Sequence, residues 1–145
     1  MRSGSEGTKC CHLIWVTRNG RSWFKIAAAA RFCERAVHHA CATLGWKAEL
    51  IAVLPDRLHV LLAVPAAEDR RTVSRRLQQT ATRLLADAHV LPQQAQPLWA
   101  GDGWCAVLPN AVSATAVRRF LRQKVAATDR RCAAAAPSDE TLEVG

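Results

Sequence analysis

A Pro-Asp dipeptide at positions 55–56 separates two apolar segments, and this arrangement limits the possible folds more than any other feature of the chain. The segments Trp46–Leu54 and Arg57–Val64 are rich in aliphatic residues and have the length of strands. Proline and aspartate favour tight turns. The sequence therefore predicts an antiparallel hairpin. Alternation along its second strand places Arg57 and His59 on one face and Leu58 on the other.

The remaining elements are predicted from apolar periodicity. Cys11–Thr17 is β-branched and aromatic, which is typical of a strand. Ala27–Leu44 and Glu68–Ala88 repeat apolar residues at the spacing of a helix face. Leu98–Leu108 is predicted as a strand interrupted by Gly-Asp-Gly at 101–103, and a last helix is predicted from Ser113, as its N-cap, to about Ala127. The order βαββαβα predicts an α+β fold, a ferredoxin-like βαββαβ antiparallel sheet with an added C-terminal helix.

Length and charge indicate the domain organisation and the class of partner. The 145 residues are predicted to form one domain over 10–130, with a flexible leader at 1–9 and a flexible tail at 131–145. The chain has 20 Lys and Arg against 12 Asp and Glu, a net charge of +8. A cationic surface dominated by arginine suits a phosphate-rich partner, nucleic acid first. The alternative is a basic protein whose charge serves only solubility.

The cysteines indicate a reducing compartment. They show neither CxxC pairing nor the spacing of a zinc site. No stretch resembles a signal peptide or reaches the length of a membrane span. We therefore expect a cytoplasmic protein without membrane association, in which several reduced thiols fill small core positions. The six cysteines are Cys10, Cys11, Cys33, Cys41, Cys105 and Cys132.

Three motifs follow one another along roughly residues 11–128. They are His12–Arg18 (HLIWVTR), Pro55–Leu62 (PDRLHVLL), and Leu98–Trp104 (LWAGDGW) followed by Val117–Lys124 (VRRFLRQK). In this order they resemble the single-tyrosine HUH transposases of bacterial insertion sequences, including the REP-associated tyrosine transposases. The motifs of that family are a His-x-x-Trp-x-Thr-Lys strand, a Pro-Asp-His-x-His strand, a Trp-x-x-Gly-Tyr strand and an Arg-Arg-Tyr-Ile-x-x-Gln helix. The resemblance implies a ferredoxin-like fold and an ancestry in DNA cleavage and rejoining.

The resemblance also implies where the chemistry of the family would lie. In such transposases two strand histidines and a helix glutamine hold a divalent ion at the scissile phosphate, and a tyrosine one turn before the glutamine attacks phosphorus. In this chain the histidine positions are Arg57 and His59, the tyrosine position is Phe120, and the glutamine position is Lys124. The chain contains no tyrosine. The resemblance therefore implies a degenerate site that does not cleave, with no cofactor expected, and with Mg²⁺ or Mn²⁺ only if the chain were active.

These observations predict a homodimeric protein that binds single-stranded or hairpin DNA without cutting it. Arg57 and Lys124 would hold a DNA phosphate where the family holds its ion, the alternative being drift after loss of the nucleophile. Two other functions stay open. One is an active nuclease with a different nucleophile, for which Cys132 and Ser113 are the nearest candidates, and the other is a protein-interaction module that has lost DNA. The predicted DNA-binding residues are Arg18, Arg57, Arg118, Arg119, Arg122 and Lys124.

Several further residues have both a structural and a functional interpretation. His12 is predicted to be packed rather than functional. Trp23 and Trp104 lie near predicted loops and either pack or stack an unpaired base. The arginines of the second predicted helix form either a solvated face or contacts with the DNA backbone. The tryptophans predicted in the core are Trp15, Trp46 and Trp99, and the helix arginines are Arg70, Arg71, Arg75, Arg76 and Arg83.

Overall fold

The computed structural model describes residues 7–144, with side chains described as far as residue 134. Four strands and three long helices follow one another in the order that the sequence predicts, with three short 3₁₀ turns in two of the connections. The strands are β1 (Thr8–Val16), β2 (Lys47–Leu54), β3 (Arg57–Pro65) and β4 (Trp104–Leu108), and the helices are α1 (Ala27–Leu44), α2 (Arg70–Asp87) and α3 (Ala111–Val144).

The strands form one sheet in the order β2-β3-β1-β4, with every neighbouring pair antiparallel. Strands β1 and β2 are connected through α1, and β3 lies between them. This is the split βαβ arrangement of a ferredoxin-like fold, so the α+β prediction with an added C-terminal helix is confirmed. The hairpin between β2 and β3 turns at 55–56, as predicted.

One face of the sheet packs against α1 and α2 and forms the main core. Trp15, Leu58 and Val60 point to this face and are completely buried. Helix α2 contributes a stripe that includes Leu77, whose full burial stabilises the fold by about 1.5 to 3 kcal/mol. The buried face of α1 is made of alanine, cysteine and one valine, and these small side chains let the helix lie close to its neighbours. Helix α1 ends at its cap residue Gly45, whose φ of 78° is the left-handed conformation that glycine adopts without steric cost.

Helix α3 covers part of the opposite face. Its Leu121 is completely buried against Ala52 and Leu61 of the central hairpin. Farther along α3, Thr128 donates a hydrogen bond to the Val53 carbonyl at 3.0 Å. Arg131 donates to the Phe24 carbonyl, also at 3.0 Å. These contacts fix α3 on the sheet of its own chain.

The limits of α3 differ from the prediction. Ser113 is not the N-cap, because the helix begins at Ala111 and the Asn110 Oδ1 accepts a hydrogen bond from the Ser113 N–H at 2.9 Å. The predicted end near Ala127 is also wrong, since the backbone stays helical through Val144. Hydrogen bonds from Thr128 and Arg131 to residues distant along the chain, together with an alanine-rich sequence, stabilise the helix beyond its apolar pattern. The flexibility of the leader and of the tail stays a prediction: 1–6 lie outside the described residues, as do the side chains from 135 onward.

The predicted fourth strand is shorter than expected. It begins at Trp104, while Trp99 makes only an isolated bridge with Thr17. Gly101 and Gly103 have φ values of 84° and 85°, so the Gly-Asp-Gly stretch bends the chain rather than continuing the ladder. A Cβ at Gly103 would overlap the Trp15 indole, so glycine is required there by space as well as by conformation.

The six cysteines are free, and Cys11, Cys33, Cys41 and Cys132 are buried. The prediction that several thiols fill core positions is therefore confirmed. Within residues 7–144, none of the helices combines the length and the apolar composition that crossing a membrane requires.

Candidate nucleic-acid interface

The central strands bring two histidines to the same face of the sheet. In the β1–β3 register, Ile14 lies opposite His59 and Val16 lies opposite Arg57. Directly opposed residues share a face, and so do residues two apart along a strand. His12 therefore lies on the face of His59, diagonally across the two strands. This is the face that α3 partly covers.

His12 and His59 form a buried hydrogen-bonded pair. The His12 Nε2 lies 3.0 Å from the His59 Nδ1, and the ring centres are 5.3 Å apart. The two residues are 8 % and 6 % exposed. The predicted packing of His12 is correct, but the sequence alone did not indicate that it belongs to the site. His12 lies on the neighbouring strand two residues from Ile14, which pairs with His59, so the two histidines share a face. This alternation is the one feature that could have indicated the role of His12.

The surroundings keep both imidazoles neutral near pH 7. Burial lowers the pKa of His12. Burial, followed by the charges of His12, Arg57 and Lys124, lowers the pKa of His59 to about 4. In the pair, one neutral ring donates its N–H and the other accepts with its unprotonated nitrogen.

Phe120 and Lys124 extend this pair toward solvent. The Phe120 ring centre lies 5.7 Å from that of His59, with the rings at 67°, and the side chain is 42 % exposed. The Lys124 Nζ lies 5.2 Å from the centre of the Phe120 ring. Because residues four apart share a helix face, both side chains reach the same spot from α3. The residue at the family's tyrosine position thus lies against the histidine of its own chain.

Trp104 continues the row on the other side. Its ring centre lies 5.4 Å from that of His12, edge to face at 89°, and the residue is 51 % exposed. Trp104, His12, His59 and Phe120 therefore form a continuous row of rings, here called the aromatic row, with both end members open to solvent. Exposed rings of this kind are surfaces on which unpaired bases stack. Trp15, Trp46 and Trp99 are buried, as predicted.

The predicted DNA-binding residues do not all lie together. Arg57 is exposed at the start of β3, where it pairs with Asp56 at 3.2 Å, and its charge reaches His59. Arg118 forms an ion pair with Glu49 of β2. Arg118 also lines a separate pocket of about 470 Å³ with Arg119 and Arg122, and Arg18 lines another of about 210 Å³. Only Arg57 and Lys124 flank the aromatic row.

The residues of the site do not fit a magnesium or manganese ion. These ions prefer oxygen ligands, above all carboxylates. Among the described residues, no group of three or more His, Cys, Asp or Glu could hold a metal ion. The two imidazoles are hydrogen-bonded to each other. The positive charges of Arg57 and Lys124 act on the same place and repel a metal cation.

The site also has no oxygen nucleophile at the position of the family tyrosine. Phe120 carries only carbon in its ring. The hydroxyl of Ser113 is engaged at the start of α3, where it donates to the Asn110 carbonyl at 3.0 Å. Cys132 is buried, at 8 % exposure. The arrangement is suited to stacking and to electrostatic attraction rather than to attack on phosphorus.

Comparison with known proteins shows the fold of the chain. No protein-family model and no curated protein matches it. A candidate transposase from Deinococcus radiodurans R1 superposes with a TM-score of 0.62 and 19% identity, covering 86% of this chain and 96% of that chain. A REP-associated tyrosine transposase, solved bound to a REP hairpin, superposes with a TM-score of 0.57 and 15% identity. This second match covers 78% of this chain and 62% of the other, so the chain spans less than two thirds of that protein. The chain has the transposase fold that its sequence motifs predict.

Proposed function

We propose that this chain is a DNA-binding protein of the single-tyrosine transposase fold that holds single-stranded or hairpin DNA and does not cut it. The observation that carries the proposal is the joint position of Phe120, His59 and Lys124. By the resemblance of its motifs, Phe120 and Lys124 stand at the positions that such a transposase uses for its nucleophile and for a metal ligand. The likeness to a transposase solved with a DNA hairpin supports the choice of partner.

Two kinds of contact would hold the DNA at this face. Arg57 and Lys124 flank the aromatic row and supply phosphate contacts, since both cation types bind phosphate through charge-assisted hydrogen bonds. Phe120 and Trp104 are exposed and supply ring faces for unpaired bases. Together these contacts favour a single-stranded segment next to a duplex or hairpin over a regular duplex, whose bases are already stacked.

The experiment that tests this proposal measures affinity for a DNA hairpin with a single-stranded extension by fluorescence anisotropy at several salt concentrations. Replacing Arg57 and Lys124 with alanine should weaken binding and reduce the salt slope by about 0.7 to 1 for each lost phosphate contact. Arg130→Ala is a control for the loss of one cation, because it removes a single charge from the exposed side of the same helix as Lys124. Unchanged affinity and slope in the double variant would overturn the phosphate role.

Rival functions give different results in the same system. An active nuclease would shorten the oligonucleotide, or remain attached to it, in the presence of Mg²⁺ or Mn²⁺. A protein-interaction module that has lost DNA would show no salt-dependent complex at all.

We also propose that the protein acts as a homodimer, as the resemblance implies. Strands β2 and β4 are the two edges of the sheet and offer backbone groups for pairing between copies. Helix α3 packs on its own sheet, so each copy carries a complete aromatic row. Light scattering after gel filtration would give the mass of a dimer, and the mass of a single chain at all concentrations would contradict this.

A further inference from the structure

A second cationic site lies at the β4 edge of the sheet, in the cleft between the first turns of α2 and the start of β4. It is a pocket of about 440 Å³, a volume large enough for one nucleotide. Three arginines of α2 line one wall, and the loop before β4 with the first residues of that strand lines the other. The residues that line the pocket include Arg70, Arg71, Arg75, Asp102 and Trp104.

The arginine wall carries charge that the protein does not neutralise. Arg70, Arg71 and Arg75 are exposed, and the structure gives none of them an ion pair within the part of the chain that it describes. Asp69, just before them, uses its carboxylate to accept a hydrogen bond from the Thr72 N–H at 3.2 Å. The three arginines that line the pocket can thus each offer up to five N–H donors to a ligand, since no carboxylate of the described residues pairs with them.

The opposite wall is held firmly in place. The Ser74 hydroxyl donates to the Asp102 carbonyl at 2.6 Å and accepts from the Trp15 indole at 3.2 Å. Gln78 donates to the Gly101 carbonyl at 3.1 Å. These bonds tie the loop before β4 to α2, so the width of the pocket is set before any ligand binds. A preformed site loses less conformational entropy on binding.

Trp104 connects this pocket to the aromatic row. Trp104 lines the arginine pocket at the edge of the sheet, and its indole contacts His12 edge to face on the side of the aromatic row. It is 51 % exposed, so an unpaired base can reach it. Asp102 also lines the pocket, and its negative charge favours a phosphate on the arginine side rather than beside the loop.

We propose that this pocket holds a nucleotide of the single-stranded segment that leaves the aromatic row, with its phosphate on Arg70, Arg71 and Arg75 and its base on Trp104. The inference rests on the proposed DNA binding and adds a second site to it.

The test compares two oligonucleotides of identical hairpin, one blunt and one with a single-stranded extension of about six nucleotides. The variants are Arg71→Ala/Arg75→Ala and Trp104→Ala, with Trp104→Phe as the conservative variant and Arg130→Ala as the charge control. For the extended oligonucleotide, the double arginine variant and Trp104→Ala should each weaken binding by about 10- to 100-fold. Trp104→Phe should retain most of the affinity, because it keeps a ring for stacking.

Affinity for the blunt hairpin should change less than about 2-fold in the double arginine variant and in Arg130→Ala, since the pocket is proposed to take only the single-stranded extension. Equal losses on both oligonucleotides would overturn the pocket, because the arginines would then act only as a general attraction. Unchanged affinity for the extended oligonucleotide would overturn it as well. Failure of the unmodified protein to bind either oligonucleotide would overturn the proposed function and the pocket together. Weakened binding in the Arg57/Lys124 variant beside an unaffected Arg71/Arg75 variant would overturn the pocket alone.

Discussion

The His12 Nε2 and the His59 Nδ1 lie 3.0 Å apart, joining the two central strands at the point where Phe120 covers the sheet. This bond occupies one nitrogen of each imidazole. It also fixes the orientation of both rings and, through them, of the two exposed rings at the ends of the row. The hydrogen-bonded pair therefore supports the surface that we propose binds DNA.

The pH dependence of stability should reveal this pair. The folded-state pKa of His59 is about 4, below its ordinary value of 6.5, so the unfolded chain binds more protons between these values. The stability that depends on a neutral His59 is fully present above pH 6.5. It is lost as the pH falls toward 4, by up to about 3 kcal/mol of unfolding free energy. Protonation in the fold is opposed by burial and by His12 on β1, Arg57 on β3 and Lys124 on α3.

Urea unfolding at pH 7.0 and pH 4.5 measures this effect. The free energy of unfolding should fall more between these pH values in the unmodified protein than in His59→Gln, which does not titrate. Equal falls in the two proteins would mean that His59 does not contribute to the acid sensitivity.

Restoring a hydroxyl at Phe120 should not restore cleavage. Phe120→Tyr places an oxygen beside His59, but no fitting ion site polarises a phosphate there. We expect no covalent protein–DNA product from this variant on a denaturing gel with Mg²⁺ or Mn²⁺. DNA affinity should stay within about 3-fold, because the ring for stacking is kept, while Phe120→Ala should lose about 5- to 100-fold. A covalent product would show that the site is closer to activity than its residues indicate.

Glu49 should restrain the DNA affinity of Arg118. The two form an ion pair across β2 and α3, and Arg118 lowers the pKa of the Glu49 carboxyl, so the pair persists in mild acid. Glu49→Gln frees the guanidinium, and both the affinity and the salt slope for DNA should rise, the slope by up to about 1. The free energy of unfolding should change by less than about 1 kcal/mol, because the pair is partly exposed.

The double variant Glu49→Gln/Arg118→Ala provides the control, since it should show no gain in affinity. A gain of equal size in the double variant would mean that Glu49 acts by repelling DNA directly.

Gly103 and Gly101 form a matched pair that separates steric from conformational requirements. Their φ values differ by one degree, but a Cβ at Gly103 would lie 2.9 Å from the Ile14 carbonyl and overlap the Trp15 indole, while at Gly101 it meets nothing within 4 Å. Gly101→Ala should cost about 1 to 2 kcal/mol of unfolding free energy from backbone strain. Gly103→Ala should cost at least about 1 to 3 kcal/mol more, from overpacking.

Thermal and urea unfolding of both variants gives these costs directly. Equal costs would show that the loop before β4 can move away from Trp15. Because Trp104 follows Gly103, a larger cost at Gly103 should be accompanied by weaker DNA binding.

The sequence by itself determined the order of elements, the hairpin at 55–56 and the face of His59. These follow from local rules, since apolar spacing and turn residues act over a few positions. It also determined that Phe120 cannot act as a tyrosine, because a missing atom is a property of the residue itself. The limits of α3 were less predictable, since its far half is held by hydrogen bonds to residues distant along the chain.

Only the tertiary structure decided which residues meet. His12 joins His59 through the register of two strands, and Arg118 is paired by Glu49, which lies where the β2–β3 register shifts. Arg71 and Trp104 face one pocket because α2 packs along the loop before β4. Strand register and helix docking depend on contacts between residues far apart along the chain, and the energies of those contacts are set by the whole fold rather than by any local pattern.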